Sequence, residues 1–535
     1  MLHVPPSGIW HQLDQLVAQD PDRLTLTFGT APGWSRAALR TGALGVAAGL
    51  EAAGVRPGDR VLVMVGNRPE IVLTWLACLR IGAVLVPVNT SMRGDILRHM
   101  VQVAEPSLVV VEKGLWPQLR LELAQTSASD ARIVLVDGVG DEDGNNVTGW
   151  PSLNRPITTT SHELTPSQPA AILFTSGTTG PSKGVVWTER AVLSLARGAH
   201  LVAEYNDDDI VYVTLPLFHA NGLFVTLLPA LMVGAHTIVD ERFSASAFWH
   251  RVRHTGATVT SMLGIMAPVL VGRPSQGDDR DHALSRALVV PAPLDPETFT
   301  ARFGAKVRTF YALTDVGMPI GVVAGEPFPP GSCGRALPDW ECQVVDEHDE
   351  PVSPGVQGEL VVRPRSPWTT SLGYWGNPDA TVAAWQNLWL HTADLVVQDR
   401  EGWFYFRDRS KDAIRRSGEN VSSFEVEAVL EAHPNVGEAA VFAVASALAE
   451  DEVMACVVAA DGAAIDVDAL ARHCRQRLPY FAVPRYLEVR DHLPRTSSQK
   501  VLKAELRAAG VTAATVDLGR ALRTDIVVEI DGVAG

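Results

Sequence analysis

Short apolar runs alternate with longer helical patterns through the first part of the chain. Val61–Val65, Ala83–Val88, Leu108–Val111 and Ile133–Val136 are continuous apolar stretches of strand length. Ala37–Ala53 is rich in Ala and Leu and stops at Gly54, and Glu70–Ile81 stops at Gly82, so both predict helices with glycine ends. Strand, helix, strand at this spacing predicts βαβ units and a mostly parallel sheet. Residues 9–60 predict two helices around a short strand pair. Residues 137–169 turn acidic, then rich in Ser, Thr and Pro, and predict an exposed linker. Gly222–Ala235 is the longest apolar stretch and predicts a buried helix with Pro229 inside it. It is too short to span a bilayer, which takes about 20 residues. Residues 331–365 alternate over short spans with Gly and Asp turns, predicting a β-rich subdomain. Beyond about residue 409, helices alternate with strands such as Ala439–Val444 and Val453–Ala459.

Composition narrows the function classes. The 535 residues exceed what one core organises, so two or more domains are expected. Hydrophobic residues are 46% and charged residues 20% of the chain, an ordinary globular balance. The net charge of −16 opposes a nucleic-acid partner, which needs a basic footprint. Cys78, Cys333, Cys342, Cys456 and Cys474 are widely spaced and form no Cys-x-x-Cys pair. A zinc site or disulfide framework is not expected, and a reducing, cytoplasmic setting fits. The N-terminus shows no basic stretch leading into an apolar core, so no secretory signal is expected.

The chemistry begins after the apolar run Ala170–Phe174. Thr175, Ser176, Gly177, Thr178, Thr179 and Gly180 are followed by Pro181, Ser182, Lys183 and Gly184. Hydroxyls, close-approaching backbone N–H groups and a lysine suit an anion such as phosphate. The order is not Walker A, because Gly184 and not Ser or Thr follows the lysine. A plain surface loop is the competing reading. Further on stand VYVTLPLFHANG with His219, RTFYALTD with Tyr311, Thr314 and Asp315, and WLHTAD with Asp394. FRDRSKDAIRRSGENVSSFEVE carries Arg409, Lys411 and Gly418, and LPRTSSQKVLK carries Lys500. Taken singly, His219 reads as a structural histidine and each charge of 406–427 as a solvated one.

Taken together and in order, these motifs resemble the adenylate-forming superfamily: acyl-CoA synthetases, adenylation domains of peptide synthetases, and luciferases. The resemblance spans about residues 10–510, and RRSGENVSSFE with the Gln499-Lys500 ending is most similar to its crotonobetaine/carnitine-CoA ligase branch. It implies an α/β fold: a large N-terminal adenylation domain, 1–408, of parallel-rich sheets flanked by helices plus a β-rich subdomain, and a small mobile α+β C-terminal domain, 409–535. It also implies ATP-dependent activation of an acid through an acyl-adenylate with pyrophosphate release, then transfer to CoA. By resemblance, the loop Thr175–Gly180 with Lys183 holds phosphates. Tyr311 packs on adenine, Thr314 contacts the α-phosphate and Asp315 holds Mg²⁺. Asp394 takes the ribose hydroxyls, and Arg409 contacts ribose or phosphate. Lys411 is the hinge, Gly418 belongs to the loop along the pantetheine tunnel, Lys500 is the catalytic cation, and His219 sits at the mouth of the acyl pocket. The implied ligands are ATP, Mg²⁺ and CoA, and the partners a small-molecule acid and CoA or a carrier protein; a homodimer stays open. The chain departs from the family pattern at Ala312, Asp315, Val290-Pro291, Ala393 and Gln499. Those departures keep open an amine acceptor, an unusual oxyanion such as nitrite, and a non-enzymatic binding protein on the same scaffold. The retained Lys183, Asp394, Arg409 and Lys500 oppose the last. No role is assigned to residues 511–535.

Overall fold

The apolar runs between residues 60 and 136 build the centre of a seven-stranded sheet. Strand Arg60–Met64 pairs in parallel with Val84–Pro87 on one side and Leu108–Glu112 on the other, and Leu108–Glu112 pairs in parallel with Arg132–Val136. Strands buried on both faces need no polar alternation, which is why these read as continuous apolar runs. Helix Pro69–Ile81 begins with its proline in the first turn, where the missing N–H has no intrahelical role. It ends at Gly82, at φ 74°, whose N–H returns to the Cys78 carbonyl. A computed structural model describes residues 8–138, 146–157, 162, 165–175, 180–293, 295–409, 413–416, 418–446, 451–495 and 501–519, apart from the side chains of residues 408, 409 and 413.

The expected linker at 137–169 is in part sheet. Val147–Gly149 pairs in parallel with Arg132–Val136 as an edge strand, and Leu153 is buried. Helix Arg36–Ala52 packs so closely on that segment that a Cβ on Gly49 would lie 2.1 Å from the Leu153 carbonyl oxygen. The acidic and Ser-rich composition of the stretch hid this short apolar foothold. Pro169–Thr175 and Lys183–Thr188 complete the sheet on its other edge, so the Thr/Ser/Gly loop joins neighbouring strands.

A second seven-stranded sheet runs Lys306–Arg308, Arg286–Val290, Val259–Leu263, Ile210–Val213, His236–Val239, Leu24–Phe28, Trp34–Ser35. It is parallel except for the last pair. Helices Gly8–Gln19 and Arg36–Ala52 flank its terminal strand pair in sequence, as the pattern of residues 9–60 predicts. The expected single helix over Gly222–Ala235 is instead a π-helical stretch, Asn221–Leu227, followed by an α-helix, Leu228–Val233. Pro229 stands in the first turn of that α-helix, where its lacking N–H costs little. The β-rich subdomain is an antiparallel sheet of Trp340–Val345, Gln357–Pro364, Trp385–Gln386, Trp389–Gln398 and Phe404–Arg409. Beside it in sequence stands a three-stranded sheet of Phe310–Leu313, Gly317–Gly321 and Arg335–Ala336.

The chain divides into two compact units. One comprises Met1–Thr90, Val101–Phe174 and Gly184–Ser410; the other comprises Ser91–Met100, Thr175–Lys183 and Lys411–Gly535. In the second, Val436–Ala445, Asp451–Ala459, Tyr486–Arg490 and Val516–Asp517 form a four-stranded sheet. A hairpin, Ala413–Arg416 with Glu419–Ser422, precedes helix Ser423–Glu431. Part of the tail without an assigned role is therefore an edge strand, and Thr512 and Thr515 fasten it by donating to Glu488 Oε2 at 2.8 and 2.7 Å. Among the described residues no helix is long and apolar enough to cross a membrane.

Candidate active site

Tyr311, Thr314 and Asp315 lie on one tight hairpin. Tyr311 stands opposite Ile320 and Leu313 opposite Gly317, with the register slipping between them at Ala312. Thr314, Asp315 and Val316 make the turn, which Gly317 closes at φ 123°, a value that favours glycine. Three side chains hold the turn's carbonyls: Trp187 Nε1 donates to Thr314 O at 3.1 Å, Ser371 Oγ to Asp315 O at 2.6 Å, and Thr370 Oγ to Val316 O at 2.8 Å. The Asp315 carboxylate accepts at Oδ1 from the Tyr374 hydroxyl at 2.6 Å. Burial and the neighbouring Asp315 charge push the Tyr374 hydroxyl up in pKa, so it remains a donor. Tyr374 is placed there because residues 372–375 run along strand Lys183–Thr188: Val186 N donates to Gly373 O at 2.9 Å and Trp375 N to Gly184 O at 2.7 Å.

Asp394 reaches the same hairpin from the antiparallel sheet. The Tyr311 hydroxyl donates to Asp394 Oδ2 at 2.7 Å, and Asp394 is 2% exposed. Two motifs 83 residues apart thus meet in one buried bond. Ala393, which stands before this acid, has φ 58°. Its N–H donates to Glu359 Oε1 at 2.8 Å. Arg409 lies directly across the sheet from Asp394 as its backbone partner; its side chain lies outside the described residues.

His219 follows the strand Ile210–Val213 through a turn in which its N–H bonds Pro216 O at 3.2 Å. Its ring meets Phe218 edge-on at 4.7 Å. Gly222 is required beyond it, because a Cβ there would stand 2.4 Å from Pro216 O. Asn221 Oδ1 accepts from Ser261 Oγ at 3.1 Å, which ties the start of the π-helical stretch to strand Val259–Leu263. Such π-helical insertions recur at functional sites.

Thr175 ends its strand and Lys183 begins the next one, both half-buried. Among the described residues, none lies within 4 Å of where a Cβ on Gly180 would be. Within the second unit, Ser182 N and Oγ both donate to Glu425 Oε1, at 2.8 and 2.6 Å. Gly418 has φ 77° in the turn of the 413–422 hairpin. Ser176, Gly177, Thr178, Thr179, Lys411 and Lys500 lie outside the described residues. Tyr374, Trp187 and Glu359 were not singled out from the sequence.

Among the described residues no cluster of three or more His, Cys, Asp or Glu side chains forms a metal cage. Asp315 alone still suits Mg²⁺, which is commonly held by one or two carboxylates together with substrate phosphates.

Tyr311 and Asp394 thus share one buried bond on a sheet-borne hairpin, in a chain with two parallel-rich seven-stranded sheets. Residues 13–375 match the AMP-binding enzyme family and residues 425–500 its C-terminal domain, and the chain belongs to that family. It is 31% identical over 462 residues to the crotonobetaine/carnitine–CoA ligase of Salmonella agona, a match covering 85% of this chain and 89% of that one. The equivalent ligase of Escherichia coli O157:H7 is 30% identical over the same shares. Among solved structures, o-succinylbenzoate CoA synthetase (MenE) of Bacillus subtilis superposes with a TM-score of 0.79 at 25% identity, covering 93% of this chain and 98% of that one. ATP-bound MatB of Rhodopseudomonas palustris gives 0.68 at 26%, covering 94% and 99%.

Proposed function

We propose that this protein is an AMP-forming acid–thiol ligase whose adenosine site is built on Tyr311 and Asp394. The observation that carries the reading is the buried bond between them at 2.7 Å. It sets an aromatic face, suited to a base, beside a carboxylate that only accepts, suited to a ribose diol that donates. The chemistry has two steps: an acid attacks the α-phosphate of ATP and pyrophosphate leaves, then the CoA thiol attacks the acyl carbon of the acyl-adenylate, losing its proton, and AMP leaves as the thioester forms.

The chain's residues divide that work. Thr175–Gly180 and Lys183 hold the β- and γ-phosphates, and Thr314 meets the α-phosphate. Asp315, oriented by Tyr374, would hold Mg²⁺, which when bound would neutralise phosphate charge. Arg409, across the strand from Asp394, serves ribose or phosphate. His219 borders the acid's pocket on the π-helical side. Lys500 stabilises the charge that develops as acid and α-phosphate join, and Gly418 lines the path of the pantetheine arm. The activated acid is a small organic carboxylate, as the names of the relatives suggest.

The test has two arms. Lys500→Ala is expected to lower acid-dependent pyrophosphate release by about 100-fold or more, the scale for one preorganised donor. It should spare thioester formation from supplied acyl-adenylate; near wild-type release would overturn the role of Lys500. A panel of carboxylic acids, assayed with CoA and then with an amine or carrier protein, identifies the acid and the acceptor.

A further inference from the structure

We propose that Glu359 is a positioning residue for ATP, holding the peptide before Asp394 in the one shape that aims its carboxylate at the ribose. The inference rests on the ribose reading of Asp394 given above. Strand Gln357–Pro364 pairs Glu359 with Leu395 and Val361 with His391, and the register slips between. Thr392, Ala393 and Asp394 therefore face the single residue Leu360, as a bulge that re-aims its side chains.

The middle residue of that bulge pays no heed to its own preference. Ala393 sits at φ 58°, in the left-handed region that disfavours a side chain. Something must hold it there. Glu359 Oε1 accepts the Ala393 N–H at 2.8 Å. Glu359 Oε2 meets His391 Nδ1 at 3.2 Å. His391 Nε2 faces Asp349 Oδ2 at 3.8 Å, and Asn387 Nδ2 donates to that same carboxylate oxygen. The far side of the bulge is held separately: Thr392 Oγ1 donates to Leu360 O at 2.7 Å and accepts the Asp394 N–H at 3.1 Å. Glu359 is thus the side chain that fixes the left-handed peptide, and it is itself fixed by His391. It touches no reacting atom; it acts through the backbone of residues 393 and 394.

A glycine at 393 reaches φ 58° without a side-chain penalty, so the need for the clamp should shrink when Ala393 is replaced. That separates positioning from general support of the fold. The measurement is KM for ATP and kcat in pyrophosphate release, with thermal unfolding alongside. Glu359→Ala should raise KM for ATP about tenfold, the size of one lost bond to a charged group, with a smaller change in kcat. In the Ala393→Gly background the same substitution should raise it by no more than about threefold. Glu359→Gln keeps an acceptor oxygen for the Ala393 N–H and should restore most of the ATP affinity lost in Glu359→Ala. His391→Leu attacks the clamp from its far end and should raise KM several-fold, which keeps the test open should Glu359→Ala not fold. An unchanged KM in Glu359→Ala or in His391→Leu overturns the inference, as does an equal effect in both backgrounds. Asp394→Ala separates the two readings. A raised KM there beside an unchanged one in Glu359→Ala overturns the clamp alone, whereas an unchanged KM in Asp394→Ala overturns the ribose reading and the clamp with it.

Discussion

The Asp315 carboxylate takes the Tyr374 hydroxyl as a donor at 2.6 Å, and it is also the group proposed to hold the metal. A hydrogen bond to one oxygen fixes the carboxylate's plane and leaves its charge in place, which is how outer partners tune a metal ligand. Tyr374→Phe removes only the hydroxyl and keeps the ring that packs against the core. The half-saturating Mg²⁺ in pyrophosphate release is expected to rise about tenfold, the lower end for losing such a partner. A titration curve that does not move would show that Asp315 is not oriented through Tyr374. At this scale the family resemblance singled out Tyr311 and Asp394, and the structure joins the two in one buried bond. The sequence was silent about Tyr374, because nothing near residue 374 shows that this segment will lie along residues 184–186. Long-range pairing, not local pattern, turns that tyrosine toward Asp315.

The hairpin Ala413–Arg416 with Glu419–Ser422 shows how one element is fixed by a buried charge. Arg416 is 3% exposed, ion-paired to Glu452 at 2.8 Å and donating to the Val483 carbonyl at 2.6 Å. Glu452 in turn takes Arg485 at 3.2 Å, and Arg485 reaches Asp517 on the tail strand. Arg416→Met leaves Glu452 buried without its closest cation, and breaking such a pair costs about 3–5 kcal/mol. Arg416→Met/Glu452→Met removes both charges and should recover much of that loss. Chemical denaturation of the three proteins checks the order; a double variant less stable than Arg416→Met would refute it. Read singly, the charges of 406–427 look solvated, and Arg416 misleads in this way because its partner Glu452 lies 36 residues on. The strands at 61–65 and 108–111 were legible because burial on both faces leaves an uninterrupted apolar run. The edge strand Val147–Gly149 was not, because three residues in an acidic, Ser-rich stretch carry no period. The π-helical stretch was equally hidden, since an all-apolar run has the same pattern in either helical register.

For the whole molecule, the last boundary along the chain between the two compact units falls between Ser410 and Lys411. The family resemblance makes Lys411, which lies outside the described residues, the residue about which the C-terminal domain turns between the two half-reactions. A hinge works by changing φ or ψ substantially between states. Proline fixes φ near −65° and removes the N–H, so Lys411→Pro is expected to hold one state at the expense of the other. In the proposed mechanism, adenylation needs Lys500 at the α-phosphate, and thioester formation needs the Gly418 loop beside the pantetheine arm. The two therefore draw on different arrangements of the same domain, and one half-reaction should fall far more than the other. If the held state is the one that presents Lys500, transfer is the step lost. A folding defect behaves differently: it lowers both steps together and lowers the melting temperature with them. Single-turnover pyrophosphate release, measured beside transfer from preformed acyl-adenylate, distinguishes these cases. Equal losses at unchanged stability would mean that no rotation about Lys411 separates the two steps.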